Sequence, residues 1–258
     1  MTTTENRAAV AGQMLAKALL DARTIDPLPA DLFPADLAEA AAIQDEMARQ
    51  VGHEVAGWKV GGEAGPMVGR IFTPSLFASP ATLPLNQFFA PKIESELGFR
   101  LLSDLPPREE KYDSDEVEAA CALALTFELT GSRITDGKHS PENEEDMRMI
   151  VADNAAHAAL VVGSEIRNWQ HLSLLDIVVD LRIDGGPVLP MQPRDIRNDP
   201  RDILVWLTNE LSNRGIGLQA GQLISTGSAT VPQPFSEGRH AHAIYADFGE
   251  VELTKVVR

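Results

Sequence analysis

The sequence predicts an α+β fold built around a rolled or sandwiched mixed β-sheet. Segments with strand-like alternation are concentrated in the middle and C-terminal parts of the chain, and helical segments are inserted between them singly. Strands and helices do not alternate regularly, which argues against a parallel βαβ sheet. No internal repeat and no low-complexity segment interrupts this pattern.

Composition restricts the classes of partner. The chain has 258 residues, 44% of them apolar, and a formal net charge of −16. That apolar share is typical of a globular protein with a buried core. The acidic balance argues against nucleic acid or an anionic membrane as a partner, because both need a basic surface. A small anionic substrate stays compatible with this charge, since a bound metal ion can reverse the field inside one pocket.

The single cysteine, Cys121, excludes an intrachain disulfide and fits a reducing cytoplasm. It lies in the apolar run AACALAL, which predicts a buried, unreactive thiol. The N-terminal residues do not show the basic region and apolar block of a secretory signal. No apolar run approaches the length that spans a bilayer, so we expect a cytoplasmic protein.

The first 56 residues are expected to form a helical cap on a catalytic unit that spans residues 57–258. Helical spacing of apolar residues predicts one helix over Thr4–Arg23 and a second from Ala35 to about Gly52. The stretch TIDPLPADLFP separates them. No composition break marks a second domain after this cap.

The next segments alternate between strands and irregular structure. GWKVGG, at Gly57–Gly62, predicts a short strand that ends in a glycine turn. Residues 65–84 are dense in Pro, Gly and Ser, which predicts a long irregular surface segment. The stretch Pro91–Leu101 alternates with period two and predicts a strand.

The rest of the chain predicts seven further features: a helix from Asp115, a strand over Leu123–Ile134, a helix over Met147–Val162 ending at Gly163, a strand over Leu174–Ile183, a helix over Pro200–Arg214 between Asp199 and Gly215, a strand over Gln222–Gly227, and a closing hairpin around Gly249. Helices and strands therefore mix along the chain, as an α+β fold requires.

Two adjacent carboxylates stand out in the strand Pro91–Leu101. Residues two apart project from one face of a strand, so Glu94 and Glu96 are expected to stand side by side. Two such carboxylates repel each other unless water, a basic residue or a divalent cation compensates. Taken alone, the stretch favours a solvated pair next to Lys92 and Arg100.

A third carboxylate, Glu128, lies on the less apolar face of the strand Leu123–Ile134. Three oxygen donors without any Cys–His ligand spacing suit Mg²⁺ or Mn²⁺. The spacing Glu-x-Glu is common by chance, so the local signal is weak. The histidines show no metal-ligand pattern, and His157 is expected to be a structural residue on a helix.

Six segments occur in a characteristic order: GWKVGG, PKIESELGFRL, LTFELTGSRI, VADNAAHAALVVG, QLISTGSATVP and ADFGEVEL. In this order and spacing the chain resembles the 2-keto-4-pentenoate hydratase / 4-oxalocrotonate decarboxylase family of the fumarylacetoacetate hydrolase-like superfamily. The resemblance covers nearly the whole chain and is weakest in the N-terminal helices. It implies the mixed-sheet roll of the fumarylacetoacetate hydrolase C-terminal domain, preceded by helices.

The resemblance implies roles for individual residues. Glu94, Glu96 and Glu128 match the carboxylates that hold one Mg²⁺ or Mn²⁺, and Lys59 matches the active-site lysine. The implied substrate contacts are Ser225, Thr226, Gly227, Ser228 and Asn154. From the residues alone, two alternatives stay open for these contacts. One is a hydrogen-bonded turn around Gly227, and the other is an internal hydrogen bond of Asn154.

The implied reaction is addition of water to a 2-hydroxy-2,4-dienoate in meta-cleavage aromatic catabolism, which gives a 4-hydroxy-2-oxo acid. A cation held by the three glutamates stabilises the enolate, and Lys59, with a pKa lowered by the cation, moves protons. Decarboxylation of 2-oxo-3-hexenedioate needs the same enolate, so it stays open as an alternative. The resemblance also implies a homo-oligomer, which could form a complex with a pathway neighbour.

The chain departs from the family pattern at two positions. An acid–base Asp of the family is replaced by Met67, and an Asp before the Ser-Arg pair is replaced by Gly131. A methionine cannot relay a proton, so Glu63 is a candidate substitute, and a non-catalytic partner subunit is a third functional alternative. A decarboxylase pocket needs a cation for the second carboxylate, for which Arg70 and Arg133 are candidates.

Overall fold

A computed structural model describes residues 4–61, 67–85, 88–135 and 143–256. Glu63 lies outside these residues. The described ranges contain five α-helices: α1 (Thr4–Leu20), α2 (Leu37–Val51), α3 (Ser114–Ala119), α4 (Glu144–Ala152) and α5 (Pro200–Asn213). None of the helices in these ranges is both long and apolar enough to cross a membrane.

The same ranges contain twelve strands: β1 (Val55–Gly61), β2 (Met67–Phe72), β3 (Leu76–Ala78), β4 (Ala81–Pro84), β5 (Phe89–Leu101), β6 (Cys121–Ser132), β7 (His157–Ile166), β8 (Asp180–Ile183), β9 (Leu223–Ser228), β10 (Gln233–Pro234), β11 (His240–Ile244) and β12 (Glu250–Val256). They form two mixed sheets. The predicted α+β class with a mixed sheet and N-terminal helices is confirmed.

The larger sheet has eight strands in the order β2-β1-β9-β5-β6-β7-β3, with β10 paired to β5. The smaller sheet has the order β4-β12-β11-β8. Apolar side chains of β5, β12 and α5 meet in one buried core, among them Leu97, Leu253 and Leu207. A second core joins α1 and α2 to the larger sheet. The long strand β5 therefore lies in the middle of the molecule, between β9 and β6.

The prediction of an irregular surface segment at residues 65–84 was wrong for the described part, which forms β2, β3 and β4. Each of these strands lies at the edge of a sheet. Pro and Gly are tolerated on edge strands because one side of the strand needs no hydrogen-bonded neighbour. The segment therefore has a composition typical of a loop, although its residues form edge strands of both sheets.

The helix predicted over Met147–Val162 was also wrong in its second half. Helix α4 ends at Ala152, and the chain continues as strand β7, antiparallel to β6. Gly163 lies within β7 and does not cap a helix. A Cβ atom at Gly163 would lie 2.3 Å from the carbonyl oxygen of Glu250, so the glycine is needed for the close approach of β12.

Most other predicted elements are present, with shifted ends. The helix α5 begins after the Asp199 cap, whose side chain accepts from the backbone N–H of Arg201, and β11 and β12 form the closing hairpin. The strand predicted over Leu174–Ile183 is shorter: a 3₁₀ turn occupies Leu174–Asp176 and only β8 is extended. The helix α5 and the turn at Leu174–Asp176 both contribute residues to the cavity beside β5.

Candidate active site

Four neighbouring strands, β1, β9, β5 and β6, bring the predicted site residues together. Lys59 on β1 pairs with Ser225 on β9, and Glu96 on β5 pairs with Ser228 further along β9. Glu94 on β5 lies directly opposite Glu128 on β6. Residues distant in sequence therefore meet because of sheet register.

The three glutamates form a compact cluster. One oxygen from each of Glu94, Glu96 and Glu128 lies within 4.8 Å of the other two. Glu96 and Glu128 are buried, and Glu94 is partly exposed. Like charges directly opposite each other destabilise a sheet, so this arrangement needs a compensating charge.

Lys59 supplies part of that charge. It is buried, and its Nζ lies 2.9 Å from Glu128 Oε1 and donates to the carbonyl oxygen of Ala155 at 3.0 Å. Burial alone would lower the pKa of Lys59, but attraction by Glu128, Glu94 and Glu96 outweighs it and raises the pKa. The lowering expected for a lysine beside a cation would apply with a divalent ion held by the same glutamates, because that ion offsets their attraction.

Glu96 is held by the STGS segment. Its Oε2 accepts from the hydroxyl of Ser225 and from the backbone N–H of Gly227, the latter at 3.3 Å. Its Oε1 is buried without a hydrogen-bond partner among the described residues. Burying an unpaired carboxylate oxygen is costly, which indicates that Oε1 is kept for a ligand.

The pKa values of the three carboxyls diverge. Burial and repulsion from Glu128 raise the pKa of Glu94 to about 7, although Lys59 and Lys92 oppose this. Burial, with repulsion from Glu128 and Glu94, raises the pKa of Glu96 well above its usual range. For Glu128, burial acts in the same direction, but Lys59 and His157 outweigh it and lower the pKa. The cluster therefore needs further positive charge to be fully ionised.

A divalent cation fits this donor set. Three ionised carboxylates with one ammonium group leave two negative charges, which a divalent ion neutralises. Glu96 Oε1 is an unpaired oxygen donor, and the oxygens of the cluster are close enough to share one ion. Hard oxygen donors without nitrogen or sulfur suit Mg²⁺ or Mn²⁺. Glu94, Glu96 and Glu128 are the residues that could hold it.

A left-handed turn closes one side of the site. Asn154, Ala155 and Ala156 all have positive φ, between 52° and 55°. Such a backbone costs free energy and persists only when surrounding contacts fix it. The amide of Asn154 exchanges two hydrogen bonds of 2.8 Å with the backbone of Arg70 on β2. Substrate contact by Asn154 stays a prediction, and the contact observed is the one that holds this turn.

His157 is a site residue that sequence analysis missed. It is buried at the start of β7, with Nδ1 3.2 Å from Glu128 Oε1 and Nε2 3.0 Å from Ser75 Oγ. Burial lowers its pKa, although Glu128 opposes this, so the ring is neutral at pH 7. Val161 and Val162, further along the same segment, are typical of a buried strand and were the available sequence signal.

These residues open into a cavity of about 980 Å³. The three glutamates, Lys59 and the STGS residues Thr226, Gly227 and Ser228 line it. Ser225 is fully buried behind Glu96. Met67, which replaces the family Asp, also lines the cavity. An apolar side chain therefore occupies that part of the wall.

The other departure, Gly131, has a packing explanation. A Cβ atom at this position would lie 2.7 Å from Cβ of Phe88, so no aspartate fits without movement of that ring. Gly131 thus keeps the backbone of β6 close to Phe88. Packing against Phe88 at this end of the cavity therefore favours glycine at position 131.

Neither arginine suggested for a second carboxylate reaches the cavity wall. Arg133 is buried and paired with Asp153, at 2.8 Å between Nη1 and Oδ1. Arg70 contacts Asp45 at 2.5 Å between Nη2 and Oδ1. Arg197, which no sequence pattern singled out, lines the cavity. Cys121 is buried away from it, and burial raises the pKa of its thiol to about 12.

Similarity to characterised proteins identifies the family. A 2-keto-4-pentenoate hydratase of Paraburkholderia xenovorans strain LB400 is 30% identical over 234 residues, which cover 84% of this chain and 83% of that protein. The chain belongs to the 2-keto-4-pentenoate hydratase family. This confirms the family expected from the six ordered segments.

Other members of the hydratase family and their relatives agree with this assignment. The 4-oxalocrotonate decarboxylase of Pseudomonas sp. strain CF600 is 26% identical, with 92% of each chain covered. The structure of a 4-oxalocrotonate decarboxylase from Pseudomonas putida G7, complexed with magnesium and adipate, superposes with a TM-score of 0.83 at 22% identity and covers 99% of each chain. No family model matches the sequence.

Proposed function

We propose that this member of the hydratase family is a lyase that adds water to a 2-hydroxy-2,4-dienoate and depends on a divalent metal. The product is a 4-hydroxy-2-oxo acid of meta-cleavage aromatic catabolism. The observation that carries this proposal is the buried cluster of Glu94, Glu96 and Glu128 beside Lys59 in one large cavity. With a divalent cation bound, such a site would stabilise negative charge on a substrate oxygen.

Mg²⁺ or Mn²⁺, held by the three glutamates, would act as a Lewis acid toward the oxygens at C1 and C2 of the substrate. The carboxylates position that charge because β5 and β6 fix their backbones in register. Ser225 and Gly227 orient Glu96 through Oε2, and Oε1, which has no hydrogen-bond partner among the described residues, would be available to bind the ion.

Lys59 is the proposed proton donor. Glu128 and Ala155 fix the position of Nζ beside the cluster. A protonated amine inside a buried site can deliver a proton to a substrate carbon. Met67 has no proton to transfer. We therefore assign proton transfer to Lys59 in the part of the described wall that these two residues form.

The polar end of β9 is the proposed substrate carboxylate site. Gly227 and the hydroxyl-bearing residues Thr226 and Ser228 line the cavity next to the glutamates. In this structure Thr226 Oγ1 donates to Leu97 O and Ser228 Oγ to Thr230 O, each at 2.5 Å. Gly227 has a φ of 99°, which keeps the backbone turned at this point.

Decarboxylation of 2-oxo-3-hexenedioate is a second candidate, and one observation favours it. Arg197 lines the same cavity and supplies a cation that a second carboxylate requires. Hydration and decarboxylation both need charge stabilisation at the C2 oxygen, so the glutamates and Lys59 serve either reaction. A non-catalytic partner subunit is the third candidate and predicts no turnover with either substrate.

One assay separates these functions. The protein is incubated with fresh 2-hydroxypenta-2,4-dienoate and with 2-oxo-3-hexenedioate, each with Mg²⁺ and with a chelator. Loss of the dienol absorbance without release of CO₂ supports the hydratase, and CO₂ release supports the decarboxylase. Turnover that a chelator leaves unchanged, or no turnover at all, contradicts the metal-dependent lyase.

We also propose that the protein works in the cytoplasm as a homo-oligomer. The single cysteine, Cys121, is buried and free, which fits a reducing compartment and supports the location. The assembly, and a complex with a pathway neighbour, rest on family resemblance. Light scattering of the purified protein measures the number of subunits.

A further inference from the structure

Arg197 is a cation in the cavity wall that has no counter-charge among the described residues. Its Nη2 donates to the carbonyl oxygen of Leu175 at 2.6 Å, and its Nε is buried with no hydrogen-bond partner in that part of the chain. No carboxylate in the described part of the chain lies within salt-bridge distance of it. Burial lowers the pKa of its guanidinium, and repulsion from Arg194 adds to this lowering.

Neighbouring cations are engaged elsewhere. Arg194 is exposed, pairs with Asp176 and does not line the cavity. Lys92 lines the cavity but lies two residues before Glu94 on β5, and its charge lowers the pKa of that glutamate. Arg197 is therefore the arginine of the described wall whose charge is uncompensated, although the chain as a whole is strongly acidic.

The segments next to Arg197 contribute a mostly apolar wall. Its apolar members include Leu174, Leu175, Ile196, Ile203 and Trp206, and its polar members are Gln192 and Asn198. An apolar wall beside a guanidinium suits a short hydrocarbon chain that ends in a carboxylate. The planar guanidinium matches a carboxylate geometrically, and the bond is strengthened because both groups are charged.

The segment that carries Arg197 is tied to the metal-binding strand. The backbone N–H of Ala229 donates to Ser95 O on β5 at 2.8 Å, and the N–H of Gln192 donates to Ala229 O at 2.9 Å. Gln192 begins the short run that leads to Arg197. Two hydrogen bonds therefore fix the distance between this run and the strand that carries Glu94 and Glu96.

We propose that Arg197 binds the distal carboxylate of the substrate, so that the site selects 2-oxo or 2-hydroxy dienedioates over monocarboxylates. This inference rests on the proposed function, because it assumes that the other end of the substrate meets the glutamates. It assigns a specificity role to a residue outside the predicted site.

The test compares wild type, Arg197→Gln and Arg194→Gln with the dioate 2-hydroxyhexa-2,4-dienedioate and the monoacid 2-hydroxypenta-2,4-dienoate. A lost charged hydrogen bond corresponds to about 10- to 100-fold. We expect the dioate-to-monoacid ratio of kcat/KM to fall by about that factor in Arg197→Gln, and to stay at the wild-type value in Arg194→Gln. Arg197→Lys should restore part of the ratio.

An unchanged ratio in Arg197→Gln, or an equal loss with both substrates, overturns the inference while the proposed function stands. If the variant does not fold, a binding measurement on the wild-type protein still tests the inference. With Mg²⁺ present, adipate should bind about 10-fold or more tightly than hexanoate. Equal binding of the two acids overturns the inference. Absence of turnover with both substrates contradicts the proposed function, and the adipate-to-hexanoate ratio still decides whether the cavity binds a distal carboxylate.

Discussion

Glu96 illustrates how one side chain can be prepared for a ligand. Its two oxygens have different surroundings: Oε2 accepts from Ser225 and Gly227, and Oε1 is buried without a partner. The hydrogen bonds fix the side-chain rotamer. Burial of the unpaired oxygen is unfavourable, because it has lost its contacts with water. Binding of a cation at Oε1 removes that cost, so metal affinity and folding stability should be linked at this residue.

Replacement of Glu96 by glutamine tests this link. At a Mg²⁺ concentration about 100 times its Kd, the wild type should gain about 2.7 kcal/mol of unfolding free energy. Glu96→Gln should lose most of this gain, because a neutral amide is a poor ligand for Mg²⁺. Urea unfolding with and without Mg²⁺ measures the difference.

Glu252→Gln is the matched control for this prediction. Glu252 lies on β12, is about half exposed and pairs with His240 at 2.8 Å. Its variant should keep the full Mg²⁺-dependent gain. If Glu96→Gln is stabilised by Mg²⁺ as much as Glu252→Gln, then Glu96 is not a ligand.

Individual site residues were predictable where a strand pattern fixed their direction. Period-two alternation placed Glu94 and Glu96 on one face, and register brings them to Glu128. His157 was missed because the helix predicted around it is a strand. Arg197 follows a 3₁₀ turn in a connecting segment, and no periodicity relates such a residue to a pocket.

At the scale of an element, the strained turn at residues 154–156 depends on its neighbours. Asp153 precedes it and accepts from the backbone N–H of Arg133 at 2.9 Å and from its guanidinium at 2.8 Å. Arg133 also donates to His157 O at 2.6 Å. This buried pair therefore ties β6 to both ends of the turn that positions Lys59.

Removal of one partner of this pair should be costly. Asp153→Ala leaves the Arg133 guanidinium buried without its counter-charge, which typically costs about 3–5 kcal/mol. We expect urea unfolding to show a loss of this size. In the control Glu210→Ala, the loss should stay below about 1 kcal/mol, because the Glu210–Arg214 pair lies on the surface of α5. Similar losses in both variants would contradict this account.

Helices and strands were predicted correctly where one periodicity persisted over the whole segment, as in α1, α2, α5, β5 and β6. The region after α4 was predicted as a continued helix because its apolar residues fit either periodicity. Pairing with β6 decides the outcome, and a single sequence does not display such long-range contacts. The edge strands β2, β3 and β4 were also not predicted, because their pairing with distant strands is not visible in a single sequence.

At the scale of the whole molecule, the N-terminal helices share a core with the catalytic unit. Phe72, Ile134 and Met149 pack among residues of α1 and α2. Gln44 on α2 donates through Nε2 to Val68 O at 2.9 Å and to Val151 O at 2.8 Å. The division into a cap of residues 1–56 and a unit of residues 57–258 stays a prediction, and these contacts support a tightly joined cap.

Deletion of residues 1–56 tests that arrangement. The truncated chain exposes the apolar side chains of the second core and leaves two backbone carbonyls without the amide of Gln44. We expect it to lose cooperative urea unfolding and to bind a hydrophobic dye. A truncated chain that unfolds at the same urea midpoint as the full chain would show that the cap is dispensable for folding.

The fold class was predictable because composition and the mixture of strand and helix patterns restrict the architecture strongly. Strand order was not, since β9, near the end of the chain, inserts between β1 and β5. That insertion completes the site by placing Ser225 beside both Lys59 and Glu96. Only the folded chain brings these three segments together.

Strand β5 is hydrogen-bonded to β6 on one side and to β9 on the other, so its central amide protons exchange with solvent only when the large sheet opens. Residues 194–197 form a single short turn that is largely exposed, and such turns open far more often. We therefore expect the backbone at the glutamate end of the cavity to open less often than the turn that precedes Arg197. Under the proposed role of Arg197, substitutions near this turn should change the substrate length that is accepted while the glutamates keep their geometry.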